Sequence, residues 1–245
     1  TADGTLWVTG QSGANTRLRV ARDVASVAVG DGDQTAFVKT DGTLLGQGAF
    51  YFEPGPNGIL MPVPSPAPGG VASVALGGRV LYVTAPGLSF DPVAIYDRYT
   101  MFVGTDGTLW AAGSNLHGQL GDGTTAARST PVRVANAVTS VSAGAKHTVF
   151  VKSDGTLWAT GGNDSGQLGD GTNLDRNTPV QVATNVAKVA AGQTHTMFVK
   201  KDGTLWGMGD NASGQLGDGT ATSRNTPVQV ASGVAFVAAG HGDTL

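Results

Sequence analysis

The chain of 245 residues has no cysteine, so it carries no disulfide framework, no thiol nucleophile and no thiolate metal site. The redox compartment is therefore unmarked. Charge is scarce as well: 13% of residues are charged and the formal net charge is −3. No basic stripe is left to neutralise a phosphate backbone, which argues against nucleic acid as a partner. Glutamate occurs once, at Glu53, so a carboxylate pair for glycoside hydrolysis would have to come from loop aspartates. No run approaches 18 consecutive apolar residues, and the first residues form neither a charged nor an apolar targeting region. No membrane-spanning helix is expected. Apolar residues do not recur at i, i+3, i+4 and i+7, which excludes a helical solenoid.

What is abundant is glycine, 38 residues, against an ordinary share of about 7%. It lacks the triplet period of collagen and so marks tight turns. Repetition explains its placement. GQLGDGT stands at 118–124, 166–172 and 214–220, each copy beginning 48 residues after the last. DGTLW begins at Asp106, Asp154 and Asp202, and TPVxV at Thr130, Thr178 and Thr226, in the same register. Weaker DGTL copies at Asp3 and Asp41 bring the number of units to five, with gaps of 38, 65, 48 and 48 residues. The first unit is thus shortened, and the second carries an irregular insertion at about 49–98.

Within the unit 186–230, Val186, Val189 and Ala191 begin a short apolar run that ends at Gly192. The run 196–200 and the run 204–206 flank Asp202-Gly203, an Asp-Gly corner that predicts a hairpin with a type I′ turn. A Gly- and Asn-rich loop follows, and Pro227 opens a last run at an edge or as its first residue. Four short strands per unit at a period near 48 predict an all-β fold, a β-propeller of four-stranded blades.

The combination GxxHTxFVxxDGTLWxxGxNxxGQLGDGTxxxxxTPVxV, read at 144–182 and 192–230, resembles the regulator of chromosome condensation repeat. The resemblance is close across 99–240, faint over 1–48 and lost over 49–98. It implies a propeller, typically of seven blades. Here the final GHGDTL and the opening TADGTLW fit together as parts of one hairpin, so a single domain over 1–245 is expected, a five-bladed ring closed by its two termini. A fragment of a seven-bladed parent is the alternative. The resemblance implies binding rather than turnover, as its members include a nucleotide-exchange factor for a small GTPase, a photoreceptor and bacterial enzyme inhibitors. The expected function is a non-enzymatic protein-interaction scaffold with a protein partner; a multivalent glycan-binding module is the alternative, and a hydrolase with its site at the insertion comes third. Low charge with much Thr, Asn and Gly leans towards a bacterial protein that is extracellular or at the cell surface.

A phosphate cradle needs a helix N-terminus after its glycines, and GQLGDGT leads to proline and a strand instead. The stretch is read as a structural turn, with Gln119, Gln167 and Gln215 bonding backbone and Leu120, Leu168 and Leu216 packing between blades. A cation or sugar site on Asp122, Asp170 and Asp218 is the competing reading. His147 and His195 occupy equivalent positions, filled elsewhere by Gln34, Tyr99 and Asp243. They are expected to satisfy local backbone groups rather than gather round a metal. His117 and His241 are read as solvated. Trp7, Trp110, Trp158 and Trp206 recur with the DGTLW strand and are read as packing residues. No catalytic, cofactor-binding or metal-ligating residue stands out. The candidate partner-binding residues are the aromatics of the irregular unit: Phe50, Tyr51, Phe52, Tyr82, Phe90 and Tyr96.

Overall fold

The computed structural model describes residues 6–8, 18–29, 35–47, 61–62, 70–83, 93–240 and 244. Each apolar run forms a strand, and no helix occurs among the described residues. A two-stranded ladder joins β1 (Leu6–Val8) to β2 (Leu18–Ala21). Four antiparallel meanders of four strands follow. The first contains β3 (Val24–Val29), β4 (Thr35–Lys39), β5 (Leu44–Gln47) and β6 (Met61–Pro62). The second contains β7 (Val71–Val83), β8 (Val93–Gly104), β9 (Leu109–Gly113) and β10 (Arg128–Ala135). The third contains β11 (Val138–Ala143), β12 (His147–Lys152), β13 (Leu157–Gly161) and β14 (Arg176–Ala183). The fourth contains β15 (Val186–Ala191), β16 (His195–Lys200), β17 (Leu205–Gly209) and β18 (Arg224–Ala231).

The sheets stack in chain order: β3 lies against β7, β7 against β11, and β11 against β15. This stacking explains why β12 and β16, the second strands of their sheets, are buried at five consecutive positions rather than at alternate ones. Successive side chains of a strand point to opposite faces, and here both faces are covered. Val149 and Val151 of β12 pack with Val186 and Phe198 of the fourth sheet. Phe150, between them, packs with Met101 and Leu109 of the second sheet. A third cluster joins Ala36 and Val38 to Val71, Val74 and Phe102, and a fourth joins Met197, Val199 and Leu216 to Val237.

The Asp-Gly corners are hairpin turns, but not of type I′. That turn needs positive φ at both central residues, and only the glycine has it: Gly155 sits at φ 81°, while Asp154 is not among the positive-φ residues. Gly155 N donates to Lys152 O (2.9 Å) and Lys152 N to Thr156 O (3.0 Å). These bonds fit the three-residue hairpin loop in which an ordinary turn is followed by a left-handed glycine bulge. The aspartate earns its place through its side chain, since Asp154 Oδ1 accepts from the amide (2.9 Å) and hydroxyl (2.6 Å) of Thr156. Of the two expectations for Pro227 the edge holds: it is inside its strand rather than at its start, but that strand is an outer one. It lies in β18, the outer strand of its sheet, where the register shifts between Gly207 and Gly209, so no ladder bond is lost.

Each sheet passes to the next through one left-handed residue, Asp23 (φ 58°), Gly70, Ala137 (φ 55°) or Asn185 (φ 59°), and Gly233 has the same conformation after β18. The carbonyl of Ala137 receives the amide of Ser153, 2.7 Å, and the next amide, Val138, donates to Gly107 of the preceding sheet, 2.8 Å. Asn185 repeats the arrangement with Lys201 and Gly155.

The insertion departs furthest from the template. In the third sheet β11 and β12 are joined by the short link through Ala145 and Lys146. In the second, β7 and β8 run on past the sheet, paired without a break from Ser73↔Val103 to Val83↔Val93. Residues 78–83 and 93–98 form a two-stranded arm rooted beside β11, with Gly78 N donating to Gly144 O at 3.0 Å. The pairing of β8 with β9 ends at Tyr99, so among the described residues no third strand flanks the arm.

Candidate functional site

The GQLGDGT loops are built around an asparagine absent from the candidate residues read off the sequence. Asn163 is fully buried. Its Oδ1 accepts from Leu168 N (3.0 Å), and its Nδ2 donates to Asp170 Oδ1 (3.2 Å) and Thr172 O (3.0 Å). Asn115 and Asn211 hold the other two loops in the same way. The signal was present in the repeat as the recurring asparagine three residues before each GQLG. Gln119, Gln167 and Gln215 accept backbone amides at 2.9 Å, from His117, Ser165 and Ser213. Leu120, Leu168 and Leu216 are buried in successive inter-sheet clusters. Both roles expected for these residues hold.

The aspartates of these loops are already matched. Asp122, Asp170 and Asp218 keep only 3–5% of their side chains exposed. Each accepts from the threonine two residues on and from an arginine: Arg128 at 2.5 Å, Arg176 at 2.7 Å and Arg224 at 2.7 Å. Burial pushes the Asp170 carboxyl up, but the Thr172 hydroxyl and the Arg176 guanidinium outweigh it and hold it below the usual carboxylate range. Asp122 is balanced in the same way by Thr124 and Arg128. A carboxylate with its lone pairs engaged by hydrogen-bond donors and an arginine is a poor cation ligand. Among the described residues no cluster of three His, Asp or Glu side chains could hold a metal. The cation reading of these loops is therefore dropped.

His147 and His195 do something the sequence did not show. Rather than capping local backbone, each spans to the next unit. His147 Nε2 lies 2.9 Å from Thr196 Oγ1, and His195 Nε2 lies 3.2 Å from Thr244 Oγ1. Tyr99, at the same position, sends its hydroxyl to His147 O (2.5 Å) and Gly144 O (3.1 Å). His147 is fully buried, and burial, reinforced by His195, pushes its pKa down to about 3. His117 is not simply solvated: its Nδ1 is 2.9 Å from Asp175 Oδ2, across the second and third sheets. His241 lies outside the described residues.

The tryptophans pack, as expected, and are covered besides. Trp158 and Trp206 lie against the clusters between sheets, with Lys152 Nζ 4.3 Å and Lys200 Nζ 4.1 Å from their ring centroids. Trp110 packs against the cluster joining the first and second sheets. The side chain of Trp7 is outside the described residues.

Of the six candidate partner-binding residues, Phe50, Tyr51, Phe52 and Phe90 lie outside the described residues. Tyr82 and Tyr96 are placed by backbone only, in the arm. Tyr82 pairs with Ala94 and Val80 with Tyr96. The two tyrosines therefore share one pleat face of the ribbon, as diagonal neighbours.

The sequence pattern of the Regulator of chromosome condensation (RCC1) repeat matches residues 106–151, 154–199 and 202–245, and a second RCC1 repeat pattern matches 138–167 and 186–215. The first of these covers more than half of the chain. The chain belongs to the regulator of chromosome condensation repeat family. No curated protein sequence matches it. Among solved structures, human WBSCR16 superposes with a TM-score of 0.73 at 21% identity, covering 92% of this chain and 60% of that one. Prp20p from Saccharomyces cerevisiae, studied for its binding to Gsp1p and histones, gives 0.61 at 16% identity, covering 98% and 77%. Yeast RCC1 (Prp20) bound to Kap60 gives 0.70 at 16%, covering 99% and 62%. This RCC1-repeat chain thus spans about three fifths of WBSCR16 and of the Kap60-bound structure. At these identities the likeness fixes the fold, a β-propeller. The matched residues leave out 1–105, the first two units and the arm among them.

Proposed function

We propose that this RCC1-repeat chain is a non-enzymatic protein-interaction scaffold, folded as one propeller domain, whose partner binds at the arm of the second blade. The observation that carries this reading is the arm itself. Between residues 80 and 96 it has one charged residue, Asp91. Its register puts Val80, Tyr82, Ala94 and Tyr96 on one face and Leu81, Val83, Val93 and Ile95 on the other. A ribbon apolar on both faces, with no third strand beside it among the described residues, is marginal in water, and aromatic side chains on a rigid base offer large contact area at low entropic cost.

The family supports the class of function, since RCC1-repeat proteins are typically binding or exchange-factor proteins. Prp20p, with its binding to Gsp1p and histones, and the Kap60 complex are instances of protein partners on this fold. Sugar stacking on the recurring tryptophans is disfavoured, because Trp158 and Trp206 lie against the clusters between sheets and beneath lysines.

The test replaces 78–98 with Ala-Lys, the link of the third blade, and compares affinity capture by the two proteins. Partners held by the intact chain and lost by the trimmed one support the reading. Equal capture by both overturns it.

A further inference from the structure

Hydrogen positions at the joint between the third and fourth blades follow from counting donors. The Thr196 hydroxyl has one hydrogen, and it goes to Gln167 O at 2.9 Å. The oxygen can then only accept from His147 Nε2, 2.9 Å away, so the neutral ring carries its proton on Nε2. Nδ1 is left as a bare acceptor, buried and without a hydrogen-bond partner among the described residues. The ring also lies hard against the backbone: a Cβ built on Gly144 would come within 2.6 Å of Nδ1. A second proton on this imidazole would place an N–H in a fully buried position against the Gly144 backbone, with no acceptor to receive it.

The groups around the ring do not rescue the charge. Asp164, in the loop after β13, favours it but is engaged by Lys146 at 3.1 Å and by Gln167. His195 of β16 opposes it. Tyr99 of β8 donates to the His147 carbonyl, not to the ring. β11 has no titratable residue, and Lys188, the only one in β15, is exposed. At the joint between the second and third blades the same position is Tyr99, whose hydroxyl burial pushes further from ionisation. At this repeated position one joint has a ring that can take up a proton in mild acid once opened and the other has Tyr99, which cannot; the histidine elsewhere at that neighbouring joint, His117, is paired with Asp175 at 2.9 Å.

We propose that the joint between the third and fourth blades, closed by the His147 ring on Thr196, is an acid-opened seam: acidification parts β15 and β16 from β11 and β12 while the neighbouring joint stays shut. The direction follows from linkage. The buried ring titrates far below the ordinary value of 6.5 that it recovers when the seam opens, so the seam is fully held above about pH 6.5 and weakens as pH falls towards 3.

The structure supplies its own reporters among the amides that donate across this seam: Ala145 to Gln193 O, Val186 to Gly155 O and Ala191 to Ser142 Oγ. Gly78 to Gly144 O and Val138 to Gly107 O report the neighbouring joint. Single-residue hydrogen exchange of the whole chain between pH 7 and 4, corrected for intrinsic rates, reads both at once. The first three amides are expected to lose about tenfold protection per pH unit below about 6.5, one proton's worth, with the other two unchanged. His147→Tyr, which installs the residue found at position 99, and His147→Gln are each expected to flatten that slope. Protection that holds at all five amides down to pH 4, a parallel loss at both joints, or a slope that persists in the substituted proteins overturns the proposal. If neither variant folds, the contrast between the two joints in the unsubstituted chain still decides it.

Discussion

Leu168 is fully buried between the third and fourth blades. Leu168→Ala removes its packing and leaves a cavity that rigid strands fill poorly, at a cost of about 2–5 kcal/mol in urea unfolding. Leu120→Ala is expected to cost a similar amount, since it occupies the equivalent cluster. Ala137 shows the opposite sign. It is held at φ 55°, a conformation costing an L-residue roughly 1–2 kcal/mol. Ala137→Gly is expected to raise the unfolding midpoint by the part of that strain that exceeds glycine's entropy, about 0.5–1 kcal/mol. The leucines and glutamines of the loops were readable because their types announce their roles. Ala137 was not, because its strain comes from the joint geometry of two blades. His147 was half readable: its recurrence was visible, but its reach to Thr196 crosses 49 positions.

At the scale of elements, the arm is a long hairpin set in place of a short link. Exchanging 78–98 for Ala-Lys keeps all the pairing of β7 with β8 up to Gly77↔Tyr99. What is lost at its root is chiefly the Gly78 amide bond to Gly144 and the Gln119 bond to Asp97. The trimmed protein is expected to unfold within about 2–3 kcal/mol of the intact one, two hydrogen bonds' worth. A collapse of the far-ultraviolet β signal would show instead that the arm is part of the core. Strand pairing within the units was legible from the Asp-Gly corners and the valine-rich runs. The turn type was not, because the same dipeptide serves a two-residue turn and a glycine bulge, and only φ distinguishes them. The segment of the arm was read as irregular because VLYVTAPGLSFDPVAIYDR stands there in place of HTxFV, with Pro86, Gly87 and Pro92 between its apolar runs. Those residues lie between two strands whose mutual register no local pattern records.

For the molecule as a whole, acid is the revealing variable. His147 binds a proton only when its surroundings open, so stability is expected to be flat from pH 8 to about 6.5 and then to fall by about 1.4 kcal/mol per pH unit for that one group. Asp122 and Asp170 have carboxyls held below the ordinary 3.8, so their contribution persists until pH falls through their folded values. The steepest loss is therefore expected below pH 4. Urea midpoints measured across this range check both windows. The propeller itself was legible from the period and the four runs in each unit, because only stacked sheets bury a strand that is apolar on both faces. The candidate site was less so. The repeated letters identify architecture, and the place where repetition fails marks the candidate site proposed above without describing its shape.

A hydrogen-exchange footprint of the chain with a captured partner tests the central claim most directly. The account predicts protection gained at 80–83 and 93–96, with exchange over 106–240 unchanged. Protection gained in the GQLGDGT loops, with none in the arm, would contradict it.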